Sequence, residues 1–359
     1  MSSVTPLEPN DGPQPQLVIS AHEDFICALA YLPDGRRVVT GSEDGTVRVW
    51  NLEDGMQEGT SMQHRDKVFH LAVTRDGEQV ISGDVEGNIK VRDVESHQLV
   101  KEWTHPDEWP RIVISPDDRL LVVGCQTAFI YAMEGGWQII QCIEVDGGIR
   151  CASFSPDSSK LACATFNHDI CVYDVSDGTL VLGPLIGHQD YVQSVLWSGD
   201  GSRLFSGSWD KTIRCWNLYT GEPIGEPWTG HTAWILALSL SADGSILASA
   251  SGDQTVRFWN ASTGDPVGQP LRHDEPVDAV SFSPRGRLVA SAGWDGKICV
   301  WRIPRLDTVE SQVTILIICP AALLLTTFVC TPGCPQPPAF HSTSPHPTTS
   351  TLLHAHPQR

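Results

Sequence analysis

A short apolar run closing on tryptophan, or on a substitute for it, recurs through this chain about every 42 residues. The clearest copies end at Trp50, Trp216, Trp259 and Trp301, and weaker ones at Arg92, Tyr131 and Tyr173. Successive spacings are 42, 39, 42, 43, 43 and 42 residues. A second marker keeps step: His22, His64, His105, His188, His231 and His273 each precede the end of their run by 26 to 28 residues. A fixed period in this range is the signature of stacked repeats, none of which can bury its apolar face alone. It directs the search for function to surfaces rather than to one enclosed pocket.

The fifth copy, Leu185 to Asn217, shows the layout of a unit. Gly187-His188 leads into an apolar run through Tyr191, Val192, Val195 and Trp197. Gly199-Asp200-Gly201 marks a tight turn, Arg203 to Ser206 a second run, Trp209-Asp210-Lys211 another turn, and Thr212 to Trp216 a third run. Short runs parted by Gly, Asp and Ser turns at regular spacing indicate antiparallel strands. Pro223 to Pro227 supplies a fourth strand, whose prolines suit an outer edge. Four strands per unit and seven units predict an all-β, seven-bladed β-propeller of four-stranded antiparallel blades.

The units resemble WD40 repeats, whose marks are a Gly-His pair, an Asp-Gly turn and a terminal Trp-Asp. Here Gly187-His188 goes with Trp216-Asn217, Gly230-His231 with Trp259-Asn260, and Asp243-Gly244 forms a turn in the sixth copy. Asn replaces the last Asp in copies one, five and six, and Arg302 does so in copy seven. The resemblance covers about residues 16 to 302. It implies a hydrogen-bonded set of His, Ser/Thr, Asp and Trp within a blade. By position these are His22, Thr40, Asp44 and Trp50; His188, Ser206, Asp210 and Trp216; His231, Ser249, Asp253 and Trp259; and His273, Ser291, Asp295 and Trp301. Such a network stabilises when every member is satisfied, so these residues are expected to be structural rather than catalytic. The near-twin linkers Thr220 to Pro227 and Thr263 to Pro270 most resemble those of fungal WD40 signalling proteins, and the resemblance implies a free-standing sensor or scaffold, or a fragment of such a system.

Copies two to four depart from the pattern. Glu86 and Arg92 stand where Asp and Trp are expected in copy two. Copy three ends in Tyr131 without the acid, and copy four has Val145 in place of His and ends at Tyr173. Stability is therefore expected to be lowest at blades two to four. The seventh copy supplies only three strands before the pattern stops. Gln16-Leu17-Val18-Ile19, ahead of the first His, is expected to complete that blade and close the ring. The predicted organisation is a disordered segment at 1–15, the propeller at 16–303 and a non-globular tail at 304–359.

A net charge of -19 argues against nucleic acid as the main partner, because such binding draws on clustered Lys and Arg. The eleven cysteines are odd in number, scattered and without a CxxC pair, so neither a disulfide framework nor a zinc site is indicated. The N-terminus lacks the layout of a secretory signal, which points to the cytosol or nucleus. No phosphate-binding glycine loop, zinc-protease helix motif or nucleophile elbow occurs. Ser208 to Lys211 fits a bare S-x-x-K pattern, but in a turn and without its companion motifs. No catalytic, cofactor or metal residue is therefore expected, and no cofactor.

WD40 propellers often bind partners on the face that carries the loops before the innermost strand and between the second and third strands. By position, the first set here is Phe25, Lys67, Glu108, Gly148, Tyr191, Trp234 and Pro276, and the second includes Glu43, Trp209, Gly252 and Trp294. Tyr191, Trp209, Trp234 and Trp294, with Phe25, are the expected partner-binding residues, since large aromatics carry much interface energy. Aromatic residues ahead of the turn Asp also serve simply to cover the turn. Nearby Asp190, Asp274, Glu275 and Asp278 suggest a protein or peptide partner with a basic or mixed surface. The resemblance implies a protein-interaction scaffold of a signalling or regulatory complex, with the substrate-recruiting subunit of a ubiquitin-ligase-type assembly as a narrower version.

The tail reads differently. Residues 313–330 are almost wholly apolar, broken by Pro320, and Pro, Ser, Thr and His dominate beyond them. A membrane anchor, a flexible tail and translated non-coding sequence all fit this composition. The anchor would make the chain a membrane-tethered adaptor, with Arg302 and Arg305 on its cytosolic side.

Overall fold

A computed structural model describes residues 12–303, and the tail segment with its apolar stretch lies outside the described residues. Seven small antiparallel sheets follow one another in chain order. In blade one the strands run from the ring centre outward as Ile26–Tyr31, Arg37–Ser42, Thr46–Asn51 and Gln57–Gln63. The second and third strands are buried on both faces and are rich in Val and small residues, as sheets stacked between neighbours require. The first hairpin turns on Asp34-Gly35, where the Asp34 carboxylate takes the Arg36 backbone N–H (2.7 Å) and Gly35 adopts a left-handed φ of 70°.

The seven innermost strands each pack against the next and complete a circle, with Val277–Phe282 of blade seven against Ile26–Tyr31 of blade one. Each apolar cluster spans two blades. Ile26, Val38 and Trp50 of blade one share a core with Ala290, Ala292 and Ile298 of blade seven. Phe258 of blade six likewise packs with Phe282 and Trp301 of blade seven. The core thus lies between blades, which is why the unit must repeat.

Closure occurs through the N-terminal strand. Leu17–Ser20 pairs with Lys297–Arg302, placing Leu17 opposite Val300 and Ile19 opposite Ile298. Ile19 is buried against the seam and Val18 faces solvent. The outer edge of blade seven is thereby paired by residues from the other end of the propeller.

Blade five differs from expectation. Its fourth strand is reduced to two isolated bridges, Ile213 with Trp228 and Trp216 with Pro223. The near-twin segment in blade six keeps prolines at matching positions and still forms a full strand, Pro266–Arg272, so proline does not decide the difference. Trp228 stands where that segment has Leu271, and its ring lies 5.8 Å from Phe205 and 6.2 Å from Trp259.

Candidate functional site

Two sets of side chains stand out: a fastener inside the blades and an aromatic face at one end of the channel. In blade one, His22 Nδ1 lies 2.8 Å from Asp44 and Nε2 lies 2.7 Å from Thr40 Oγ1, which also accepts the Trp50 indole N–H at 3.0 Å. His188, Ser206, Asp210 and Trp216 repeat this in blade five. His231, Ser249, Asp253 and Trp259 do so in blade six. In these three blades the Thr two residues after the acid (Thr46, Thr212, Thr255) donates its hydroxyl to the carboxylate. Burial alone would raise the Asp210 and Asp253 carboxyls. The bonds from His and Thr overcome it and hold both well below the usual carboxylate range.

Blade seven is only half joined. His273 bonds Ser291 (2.9 Å) and Trp301 bonds Ser291 (2.9 Å), but Asp295 turns instead to the Lys297 backbone N–H (3.0 Å) and ammonium (3.5 Å). Lys297 occupies the position held elsewhere by Thr. Burial, opposed by the Asp295 charge, pushes the His273 imidazole down to about 4.

Blade two corrects the sequence reading. Its acid is not replaced by Glu86: Asp84, two residues earlier, reaches His64 Nδ1 at 3.2 Å, and His64 Nε2 bonds Ser82 at 2.8 Å. Asp84 sits at the end of the second strand opposite Val68, where blade one has Ser42 opposite Ile26, so the carboxylate approaches the same imidazole from the neighbouring position. In blade three Val123 takes the Ser/Thr position by register, and His105 Nε2 is buried without a partner.

The face is built by one backbone contact repeated around the ring. The residue ahead of the turn acid donates its N–H to the carbonyl of the residue ahead of the innermost strand. Glu43 bonds Phe25, Trp209 bonds Tyr191, Gly252 bonds Trp234, and Trp294 bonds Pro276, at 2.9 to 3.0 Å. Each pair of loops therefore sets two residues side by side, with Trp234 alone presenting a side chain where its partner is Gly252. Tyr191 meets Trp209 edge-on (5.4 Å), Trp209 lies against Trp234 (5.7 Å), and Phe166 and His168 of blade four extend the row from Tyr191 (6.0 and 4.8 Å). Trp294 instead stacks on Phe25 across the closing seam, 5.0 Å apart and 9° from parallel. The five sequence-predicted residues thus fall into two groups, Tyr191–Trp209–Trp234 and Trp294–Phe25. Trp234 is 43% and Trp294 36% exposed.

Inside this rim, six of the seven innermost strands carry a bulge at their second residue. A bulge re-aims the side chain it carries. The bulged residues are Cys27, Phe69, Arg150, Gln193, Leu236 and Asp278; the innermost strand of blade three pairs regularly, and its Arg111, opposite Gly124, matches His70 of blade two, opposite Gly83. Arg150 Nε bonds Gln193 (2.8 Å) and its guanidinium packs over Trp209 (4.9 Å), Tyr191 (5.2 Å) and Phe166 (5.6 Å). Arg111 donates to His70 Nε2. Asp278 accepts the Trp294 indole N–H with both oxygens at 3.1 Å. Burial, with the Glu43 charge adding, raises the Asp278 carboxyl to about 7 despite that bond.

The WD40 family model (WD domain, G-beta repeat) matches residues 13–51, 137–174, 179–217, 221–260 and 264–302, more than half of the sequence. The chain belongs to the WD40 family. The matched repeats hold the three inner strands of blades one and four to seven, and residues 52–136 between the first two carry the outer strand of blade one, all of blade two and the three inner strands of blade three. Over 161 residues, 44% of the chain, it is 38% identical to Periodic tryptophan protein 2 homolog of Mus musculus. Over 174 residues, 47% of the chain, it is 37% identical to Periodic tryptophan protein 2 of Saccharomyces cerevisiae. The matches cover 18% and 19% of those proteins' lengths, so the chain spans less than a fifth of either relative.

Sequence reasoning missed part of the WD40 face. Trp109, next to the expected Glu108, also projects ahead of blade three. It is 45% exposed and its ring lies 4.5 Å from Phe69. Arg111, Arg150 and Phe166 were missed as well. Aligning the innermost strands by register would have shown Arg150 where the other bulged strands carry uncharged residues or an aspartate, and Arg111 one position further on, where they carry His70, Cys151, Ser194 or Ala.

Proposed function

We propose that this propeller is a non-enzymatic scaffold that docks other proteins on the aromatic face, as part of a signalling or regulatory assembly in the cytosol or nucleus. The carrying observation is the row Tyr191–Trp209–Trp234 with the separate Trp294–Phe25 stack, both at the channel mouth. Wide, rigid aromatic side chains lose little conformational entropy on docking and supply large contact areas, the profile of residues that dominate interface energies. The acids on the same face, Asp274 and Glu43 among them, favour a partner of basic or mixed surface. Lys67 pairs with Glu43, and Lys297 with Asp274, whose carboxylate still stands 85% exposed.

The test is quantitative affinity capture from native lysate with the full chain as bait, beside a folded variant carrying Tyr191→Ala, Trp234→Ala and Trp294→Ala. A defined subset of captured proteins is expected to fall at least tenfold with the variant. An unchanged set would move the working surface to the blade sides or the opposite face.

A further inference from the structure

The channel mouth holds more hydrogen-bond donors than it can satisfy. Arg111 is 7% exposed, and its Nε has no partner. Its remaining bond is to His70, whose imidazole burial keeps neutral, followed in effect by the Arg111 and Arg150 charges. Arg150 has a glutamine and three aromatic rings around it. Among the described residues, neither guanidinium has a carboxylate within ion-pair distance. The indole Nε1 of Trp209, the ring on which Arg150 packs, is also buried and unpaired.

Buried donors without acceptors are costly, and buried guanidinium groups more so, because each forfeits water without regaining a counter-charge. All of the unsatisfied atoms named here are donors. Of the carboxylates near the mouth, Asp278 is taken up by Trp294 and Glu43 by Lys67, while Asp190, beside the arginines, accepts the Tyr191 backbone N–H and makes no ion pair with either guanidinium. The missing group is therefore an anionic acceptor at blades three to five. A carboxylate matches the planar fork of a guanidinium and adds a single negative charge. A chain of net charge -19 disfavours a dianion or a polyanion at the same place.

We propose that the mouth at Arg111 and Arg150 receives an aspartate or glutamate side chain of a partner peptide, whose flanking residues lie on Tyr191, Trp209 and Trp234. This rests on the reading of the aromatic face as the docking surface and names the anchor chemistry within it. The acidic anchor sits across the mouth from Asp278, so a partner that also carries a basic residue spans both poles.

A random dodecapeptide phage library selected on the full chain tests the assignment. Enriched peptides are expected to share one acidic position. A synthetic peptide with Gln or Asn at that position is expected to bind at least tenfold more weakly, and the parent peptide to lose a similar factor on Arg150→Gln. The peptide-side change keeps the test valid if the protein variant fails to fold. Binders that depend on Trp234 but lack a shared acidic position overturn the anchor and leave the docking face intact. Binders indifferent to Trp234→Ala overturn the face itself. A library that enriches nothing, or a phosphoserine version that binds tenfold tighter than the acidic peptide, also overturns the carboxylate assignment.

Discussion

Asp210 and Asp295 occupy equivalent positions in two blades and do different work. Asp210 is held by His188, Thr212 and two backbone N–H groups with its side chain 9% exposed, whereas Asp295 makes no hydrogen bond to His273. Removing one partner from a buried, hydrogen-bonded pair leaves the other uncompensated and costs about 3 kcal/mol. Removing a carboxylate whose ion pair is to a partly exposed lysine costs less than about 1 kcal/mol. Asp210→Ala is therefore expected to lower the urea midpoint clearly and Asp295→Ala to change it little. Equal losses in the two variants would refute the distinction. The residues of both fasteners were legible in the sequence because His, Ser and Trp recur at fixed offsets. The missing bond in blade seven was not, since it turns on one Lys at a Thr position. Asp84 was hidden for a related reason: an acid two residues early reaches the imidazole only because of where the second strand ends.

At the scale of the blade, the fastener predicts where the ring opens first. Blade two regains a His–Asp–Ser set through Asp84, so the weak region narrows from the expected blades two to four to blades three and four. Blade three has Val123 in place of the hydroxyl and an unpaired His105 Nε2. Blade four has Val145 for His and Cys163, opposite Cys171, where other blades carry Ser or Thr. Local opening follows local stability, so limited proteolysis of the native chain is expected to cut first between residues 105 and 185. First cuts in blades five to seven would contradict this. The strands themselves were plain from apolar alternation and Asp-Gly turns, which are local properties. The two arginines at the mouth were not, because a polar residue in an alternating strand looks like an ordinary solvent-facing position until seven strands converge on one channel. Blade five's reduced outer strand was equally hidden, as its near-twin in blade six forms a full strand.

For the molecule as a whole, the decisive contact is the one that turns seven sheets into a ring. Blade seven contributes three strands of its own, and Leu17–Ser20 supplies the fourth from the opposite end of the propeller. Without it, Lys297–Arg302 would present a bare strand edge, and Ile19 and Leu17 would leave a core shared by blades one and seven. Burying two aliphatic side chains of this kind is worth about 3 kcal/mol, which in a domain of this size corresponds to a shift of the order of 5 °C in Tm. Deleting residues 1–20 is therefore expected to lower Tm by about that amount and to promote self-association through the exposed edge, read by calorimetry and by sedimentation. The face depends on the same closure, because the Phe25–Trp294 stack bridges blades one and seven directly. The deletion should thus weaken partner capture even though it removes no residue of the face. An unchanged Tm would mean that the packing of innermost strands alone holds the ring, and the N-terminal strand would then be a cover rather than a clasp.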